Sequence, residues 1–498
     1  MNQPRPTREQ LIELAKADPE AIADIVLKLW DRVEALEAKV AELERNSRNS
    51  SKPPSTDKGN FTHPPKPKSL RGKSNRKPGG QKGHRGDTLS RSDNPDQVIE
   101  HRLPVNELCA KCGTLLQGAP TGALSSESCE CRQVFDLPAI KIVVTEHRSE
   151  KSTCPGCGEI VSAAFPEGVN APVQYGEKVQ ATSLYLAAYQ LVPYGRLAEV
   201  FADLFSCPIS EGTLANFIKK GGRLATKTME PVREELVKAK VAHADETGCR
   251  VGGKRHWLHV FSTPELTSYH IDKKRGLEGM NRPGLLGRFR GSLIHDFLSS
   301  YYRLVCRHFL CGAHHLRELT YLHEEMGQKW AADMIALLLE AKKLREREDR
   351  LEEGERRVIG EKTRERIRGR YCEIVLAGLA RNPEPEPSEK PKRGRVKRSK
   401  SLNMLIRLED RYEEVMGFFE YEGIPFDNNQ AERDLRMMKT REKISGTFRS
   451  EEHAKHFSDI RSVVSTARKQ SRGLLKTLAE MLRLPEKLGS SLANGSGT

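Results

Sequence analysis

The sequence predicts a multidomain α+β chain. An N-terminal coiled coil, a cysteine-pair ribbon and a helix-turn-helix-like segment precede an α/β domain that carries a helical insertion. Three observations predict this. At 498 residues the chain exceeds one ordinary core, and a rough prior of 150 residues per domain gives about three to four folded units. The apolar spacing changes along the chain from a heptad repeat to alternation and then to helical periodicity. Two CxxC pairs, Cys109 with Cys112 and Cys154 with Cys157, bracket a stretch that alternates like a strand.

Residues 1–46 are read as a coiled-coil helix. Ile22, Val26, Leu29, Val33, Leu36, Val40 and Leu43 alternate spacings of four and three, a heptad seam. The seam predicts a homo-oligomer joined through residues 22–43; one amphipathic helix packed on its own domain is the alternative. Residues 47–95 are a basic linker too poor in apolar side chains to build a core. Its cations, Lys82 and Arg85 among them, suit sequence-independent contact with phosphates.

Residues 96–165 are read as a zinc-binding ribbon. Cys109-Ala-Lys-Cys112-Gly and Cys154-Pro-Gly-Cys157-Gly offer four soft ligands in two turns, the set that suits structural, tetrahedral Zn2+. The spacer between the pairs is long and contains Cys129 and Cys131, so the ligand set is not unique. Ile140, Ile142 and Val144 alternate as a strand would. Eleven cysteines used in this way point to metal ligands and free thiols rather than a disulfide framework.

Residues 166–235 read as a helix-turn-helix-like module: TSLYLAAYQLVPYGRLAEVFADLF, a break at Cys207-Pro208-Ile209, then a second short helix capped by Ser210 and ending in Lys219 and Lys220. The two lysines are candidate DNA contacts; helix pairs of this kind serve equally as core elements.

Residues 236–312 and 425–470 form the α/β domain. KVAHADET, HWLHVFST, LTSYHIDKK, GSLIHD and VCRHFLCGA read as strands in the order β-β-β-α-β-α-β. Asp245 is expected to end the first strand and Asp296 the fourth. Glu432 stands on a helix capped by Asp427, Asn428 or Asn429, flanking an apolar face of Ala431, Leu435 and Met438. Singly, the aspartates read as turn caps and Glu432 as a partner of Arg436; together they make an acidic triad. Cys249 and Cys311 read as small core residues. Residues 313–424 are a helical insertion with helices around Leu337–Leu344 and Ile367–Leu379 and a basic loop, RNPEPEPSEKPKRGRVKRSKS. Residues 471–498 are a C-terminal helix and tail.

Lys plus Arg total 83 against 68 Asp plus Glu, a formal charge of +15, which favours a polyanionic partner and nucleic acid first. Arg433, Arg436, Lys439, Arg441, Lys443 and Arg449 follow the Glu432 position and are candidate DNA-backbone contacts. No run approaches the roughly 20 apolar residues needed to span a bilayer, and MNQPRPTREQ lacks a secretory core. A cytoplasmic chain with no membrane partner is expected.

HADET, HDFLSSYY, LCGAHHLREL, DNNQAERDLR and GTFRSEEHA resemble the signatures of transposases of the insertion sequence 66 family. NSRNSSKPPSTD, KPGGQKGHRG and the paired CxxC resemble that family too, so the likeness runs in order over about residues 20 to 480. The resemblance implies a bacterial, nucleoid-associated DDE transposase on a ribonuclease-H-like fold. It assigns Asp245, Asp296 and Glu432 to two Mg2+ or Mn2+ ions, with Asp245 shared. Double-stranded DNA, as element terminal repeats and as target, would be the partner, with small accessory proteins beside it. His314, His315 and Arg317 match a motif of that family whose chemistry the sequence does not define. The runner-up function is a zinc-containing DNA-binding protein with a decayed catalytic domain, against which the three intact acids argue. A zinc hydrolase is disfavoured because the cysteine pairs lie far from the acids and resemble closed sites.

Overall fold

The computed structural model describes residues 7–20, 23, 26–27, 29–34, 36, 89–103, 106–116, 130–138, 140, 142–351, 359–385 and 398–495. Ile22, Val40 and Leu43 of the seam, Lys82 and Arg85 of the linker, Cys129, and residues 386–397 of the basic loop lie outside the described residues. The chain divides into two units, Met1–Asp136 and Leu137–Thr498.

In the first unit a helix spans Arg8–Ala17, and Val26, Leu29, Val33 and Leu36 are helical and more than half exposed. The Cys109 segment forms a tight turn closed by an antiparallel bridge between Leu108 and Leu115. In the second unit, strands β1 (Lys151–Thr153) and β2 (Ile160–Ser162) pair antiparallel around Cys154 and Cys157. The strand expected at Ile140–Val144 is not formed. The cysteine turn closes its own immediate flanks, while Val143 and Val144 stay exposed with no sheet face to cover them.

The helix pair also differs from expectation. Helix Tyr194–Phe205 is followed, after the predicted break, by a helix over Glu211–Lys238, capped by the Ser210 hydroxyl accepting the Thr213 N–H. This second helix does not stop at Lys219 and Lys220 and passes the boundary expected at 235. Gly221 and Gly222 leave it intact because their bare backbones make room for neighbours. A Cβ on Gly222 would lie 2.4 Å from His456, and one on Gly221 would lie 2.7 Å from Leu184.

All five expected strands are present: β3 (Val241–Val251), β4 (Lys254–Ser262), β5 (Thr267–Asp272), β6 (Ser292–His295) and β7 (Arg307–Leu310). They form one mixed sheet in the order β5-β4-β3-β6-β7, antiparallel from β5 to β3 and parallel from β3 to β7. The helix expected between β6 and β7 is only a short 3-10 turn, Tyr301–Arg303, in a link whose Asp296, Ser299 and Ser300 favour turns.

Alternation along β6 shows how the sheet is buried. Leu293 joins a core shared with the Glu211–Lys238, Asn429–Ser445 and Glu451–Lys469 helices. Ile294 joins a second core built by the insertion helices Gly312–Glu324, Lys329–Glu348, Glu361–Arg381, Lys400–Asp410 and Tyr412–Glu420. The free side of edge strand β5 is covered by the Glu451–Lys469 helix. The Ser462 hydroxyl accepts the Tyr269 N–H and the Thr466 hydroxyl accepts the Thr267 N–H, so the edge offers no template for another strand there. Among the described residues no helix is long and apolar enough to cross a membrane.

Candidate active site

Asp245 lies inside β3 rather than at its end, a correction to the strand length read from sequence. What ends there is the parallel neighbour. β6 pairs with β3 from Val241 opposite Ser292 to His243 opposite Ile294, while β4 keeps pairing with β3 as far as Val251. Continuing the parallel register by two sets Asp245 opposite Asp296, the residue that leaves β6. Asp245 accepts the Glu246 N–H at 2.8 Å, and Asp296 accepts the Leu298 N–H at 2.9 Å. Burial first, then repulsion from Glu246 with smaller contributions from Asp296 and Glu432, pushes the Asp245 carboxyl up to about 7, against the pull of that Glu246 N–H.

Glu432 occupies the first turn of helix Asn429–Ser445, which is bonded to β3 near both ends. At the near end Asn428, 1% exposed, donates its side-chain amide to Ala244 O and bonds His243 Nδ1 through its oxygen, at 2.8 and 2.9 Å. Its backbone N–H donates to Cys311 Sγ at 3.1 Å. Asn428 therefore does not cap the helix with its side chain as expected; Asp427 instead accepts the Asn429 N–H. At the far end the Phe448 N–H donates to Arg250 O and the Gly252 N–H donates to Phe448 O.

The Glu432 carboxylate does not pair with Arg436. Arg317, from the Gly312–Glu324 helix, donates to both its oxygens at 3.0 and 3.2 Å, and His314 Nδ1 lies 3.6 Å away. Among the described residues, the metal-binding side chains whose donor atoms lie within 4.8 Å of one another are Cys311, His314 and Glu432, not the acid triad. Glu246, the neighbouring acid on β3, is engaged elsewhere, accepting from Tyr301 Oη at 2.7 Å and Arg275 Nε at 2.8 Å. His315 is buried and neither ring nitrogen has a hydrogen-bond partner.

Asp245, Asp296 and Glu432 are all carboxylates, the hard oxygen donors that Mg2+ or Mn2+ takes. The raised Asp245 pKa marks a shortage of positive charge beside a buried acid, which a bound cation would supply. The donor chemistry therefore fits such ions.

The proposed DNA-contacting cations separate into groups. Arg433, Arg436, Lys439, Lys443 and Arg449 are exposed. Lys219 is paired with Glu452, and Lys220 donates to Gln180. Arg441 is a correction. It is 8% exposed, its guanidinium lies 3.3 Å from the Phe448 ring centre, and burial pushes its pKa down to about 10, so it serves the core rather than a phosphate.

The two cysteine turns repeat one geometry. The first cysteine N–H donates to the residue five positions on, Thr114 or Glu159, and the Gly113 or Gly158 N–H donates back to that cysteine's carbonyl. Both glycines take positive φ, +69° and +74°. The Thr114 hydroxyl lowers the Cys112 pKa, and the Cys157 and Gly156 N–H groups lower that of Cys154, which favours the thiolate a metal binds.

Sequence reasoning missed the Arg317–Glu432 pair and the bridging role of Asn428. The one available signal was the HHLREL run, whose Arg317 comes one turn after His314 on a helix.

A family model described as Transposase IS66 family matches residues 172–456, and one described as Family of unknown function (DUF6444) matches residues 3–90. No curated protein matches the chain.

Proposed function

This chain belongs to the IS66 transposase family, and from that premise we propose that it binds insertion-sequence ends and catalyses metal-dependent DNA strand cleavage and strand transfer. What supports the proposal is the parallel register of β3 on β6, whose continuation past His243 and Ile294 would bring Asp245 level with Asp296, together with the Glu432 helix bonded along the same strand. The strand order β5-β4-β3-β6-β7, two antiparallel pairings followed by two parallel ones, supports a ribonuclease-H-like reading of the domain.

Asp245, Asp296 and Glu432 would hold two Mg2+ or Mn2+ ions, which when bound activate the attacking oxygen and stabilise the leaving one in a phosphodiester displacement. The protein's own part is alignment. Asn428 and Phe448 tie the glutamate helix to the aspartate strand, so the acids are held in place before DNA arrives. Arg317 orients the Glu432 carboxylate and, being half exposed, is also placed to meet a DNA phosphate. The exposed Arg433, Arg436, Lys439, Lys443 and Arg449 supply phosphate contacts beside the site. Lys82, Arg85, Lys219 and Lys220 belong to the same proposal, with structural Zn2+ at Cys109, Cys112, Cys154 and Cys157. Self-association through residues 22–43, small accessory proteins and action at the bacterial nucleoid complete it.

The test is a cleavage and joining assay on DNA carrying the element's own ends. Asp245→Asn, Asp296→Asn and Glu432→Gln should each abolish strand chemistry and keep DNA binding, while Glu442→Gln keeps both. A wild-type chain that binds the ends and never cuts them with Mg2+ would leave the DNA-binding reading in its place.

A further inference from the structure

Glu432 belongs to a second group of donors besides the acid triad. Cys311 Sγ, a His314 ring nitrogen and a Glu432 carboxylate oxygen lie within 4.8 Å of one another. Cys311 is the N-cap of the Gly312–Glu324 helix, which brings His314, three residues on, to the same side. Glu432 faces them from the first turn of its own helix.

Two details suit the group to a metal ion. His314 Nδ1 is shielded from solvent, 3.6 Å from Glu432 Oε1, and has no hydrogen-bond partner. A buried polar atom without a partner is costly, and a cation on its lone pair removes that cost. Cys311 is buried at 1% exposure, and its sulfur accepts the Asn428 N–H; burial pushes the thiol up to about 11 against that bond, so a metal ion there must displace the thiol proton as it binds.

The donor set also selects among ions. Sulfur, imidazole and carboxylate together suit Zn2+ and similar first-row cations, whereas Mg2+ prefers oxygen alone. Three protein ligands leave a fourth position open. Arg317 competes for the same carboxylate and, being half exposed, can release it to solvent.

We propose that Cys311, His314 and Glu432 form a separate binding site for Zn2+-like ions, and that filling it withdraws Glu432 from the acid triad and switches strand chemistry off. The regulatory half rests on the role proposed above for Glu432; the binding half does not.

Two measurements on the full-length chain test it. First, metal-stripped protein is titrated with Co2+, whose absorption reports thiolate and imidazole ligands, in the wild type, Cys311→Ser and His314→Gln. All three keep the four ribbon cysteines, and circular dichroism melting verifies folding. The wild type should show one Co2+ class that each variant weakens at least about tenfold, the loss that even outer-shell partners of a metal cause. Identical titrations and spectra in all three overturn the site.

Second, Zn2+ is added to the cleavage assay at saturating Mg2+. It should inhibit the wild type, and His314→Gln should need at least about tenfold more Zn2+ for half-inhibition. Equal sensitivity overturns the regulatory half. A wild type that binds Co2+ through Cys311 yet never cleaves DNA overturns the transposase reading and the switch with it, and leaves the site standing.

Discussion

Asn428 donates its side-chain amide to the carbonyl of Ala244 at 2.8 Å, and Ala244 is the residue before Asp245. The residue that starts the glutamate helix thus holds the strand carrying the first aspartate. Its other bonds reach His243 and Cys311, so three separate segments meet at one buried amide.

Asn428→Ala removes both side-chain bonds and leaves the Ala244 carbonyl and His243 without their buried partner. Unfolding stability should fall by about 1 to 3 kcal/mol. Cleavage should fall further than that loss explains, because the acids lose their mutual alignment. Urea denaturation and single-turnover cleavage at a temperature where the variant is fully folded separate the two effects; an unchanged single-turnover rate removes the alignment argument.

Gly222→Ala places a methyl group 2.4 Å from His456, at a crossing of two long helices. Overpacking of this kind costs about 1 to 3 kcal/mol. Gly369→Ala provides the contrast, since nothing lies within 4 Å of a Cβ there and the position is inside a helix. That change should be neutral or stabilise by up to about 1 kcal/mol. Thermal melts of the two variants should move in opposite directions or differ clearly in size.

His259 and His270 stack across β4 and β5 with ring centres 4.7 Å apart, and each bonds a backbone carbonyl, of Lys274 and Gly279 respectively. Burial holds their pKa values down, to about 4 and about 3. Asp272 opposes the shift at both, Arg275 adds to it at His259, and at His270 it is reinforced by His259 and Arg233. A folded pKa below the unfolded value of about 6.5 means stability is complete above that pH and is lost as the pH falls towards 4. Each histidine should contribute a slope of up to about 1.4 kcal/mol per pH unit in that window. Denaturant melts from pH 7 to 4 should show it, and His270→Gln, which retains a donor but does not titrate, should flatten it.

The cysteine turns predict tightly held zinc. Metal analysis of the purified Cys311→Ser chain, in which the second proposed site lacks its sulfur ligand, should find about one Zn2+ per chain, and a strong chelator should loosen the local fold around both turns. Cys112→Ser or Cys157→Ser should release the metal. Full zinc retention in that Cys311→Ser background after all four cysteines are replaced would move the assignment towards Cys131 or Cys129.

The order of the five strands' sequences, the cysteine turns and the Ser210 cap were all legible in the sequence because each is encoded locally. Apolar alternation marks a strand, a glycine after CxxC permits the positive φ the turn needs, and a serine before a helix accepts its first free N–H groups. The triad is proposed from resemblance, as residues in a recurring order.

Only the tertiary structure decided what those residues touch. It carried β3 past Asp245, because β4 goes on pairing after β6 has ended. It kept the long helix intact through Gly221 and Gly222, because His456 and Leu184 need the space of the missing side chains. It drew Arg441 under Phe448 and gave Glu432 to Arg317, 115 residues away, while Asn428 reached Ala244 across 184. Periodicity and capping report on neighbours within a few residues. Partners separated by a hundred or more are chosen by packing, and packing exists only once the whole sheet and its helices have assembled.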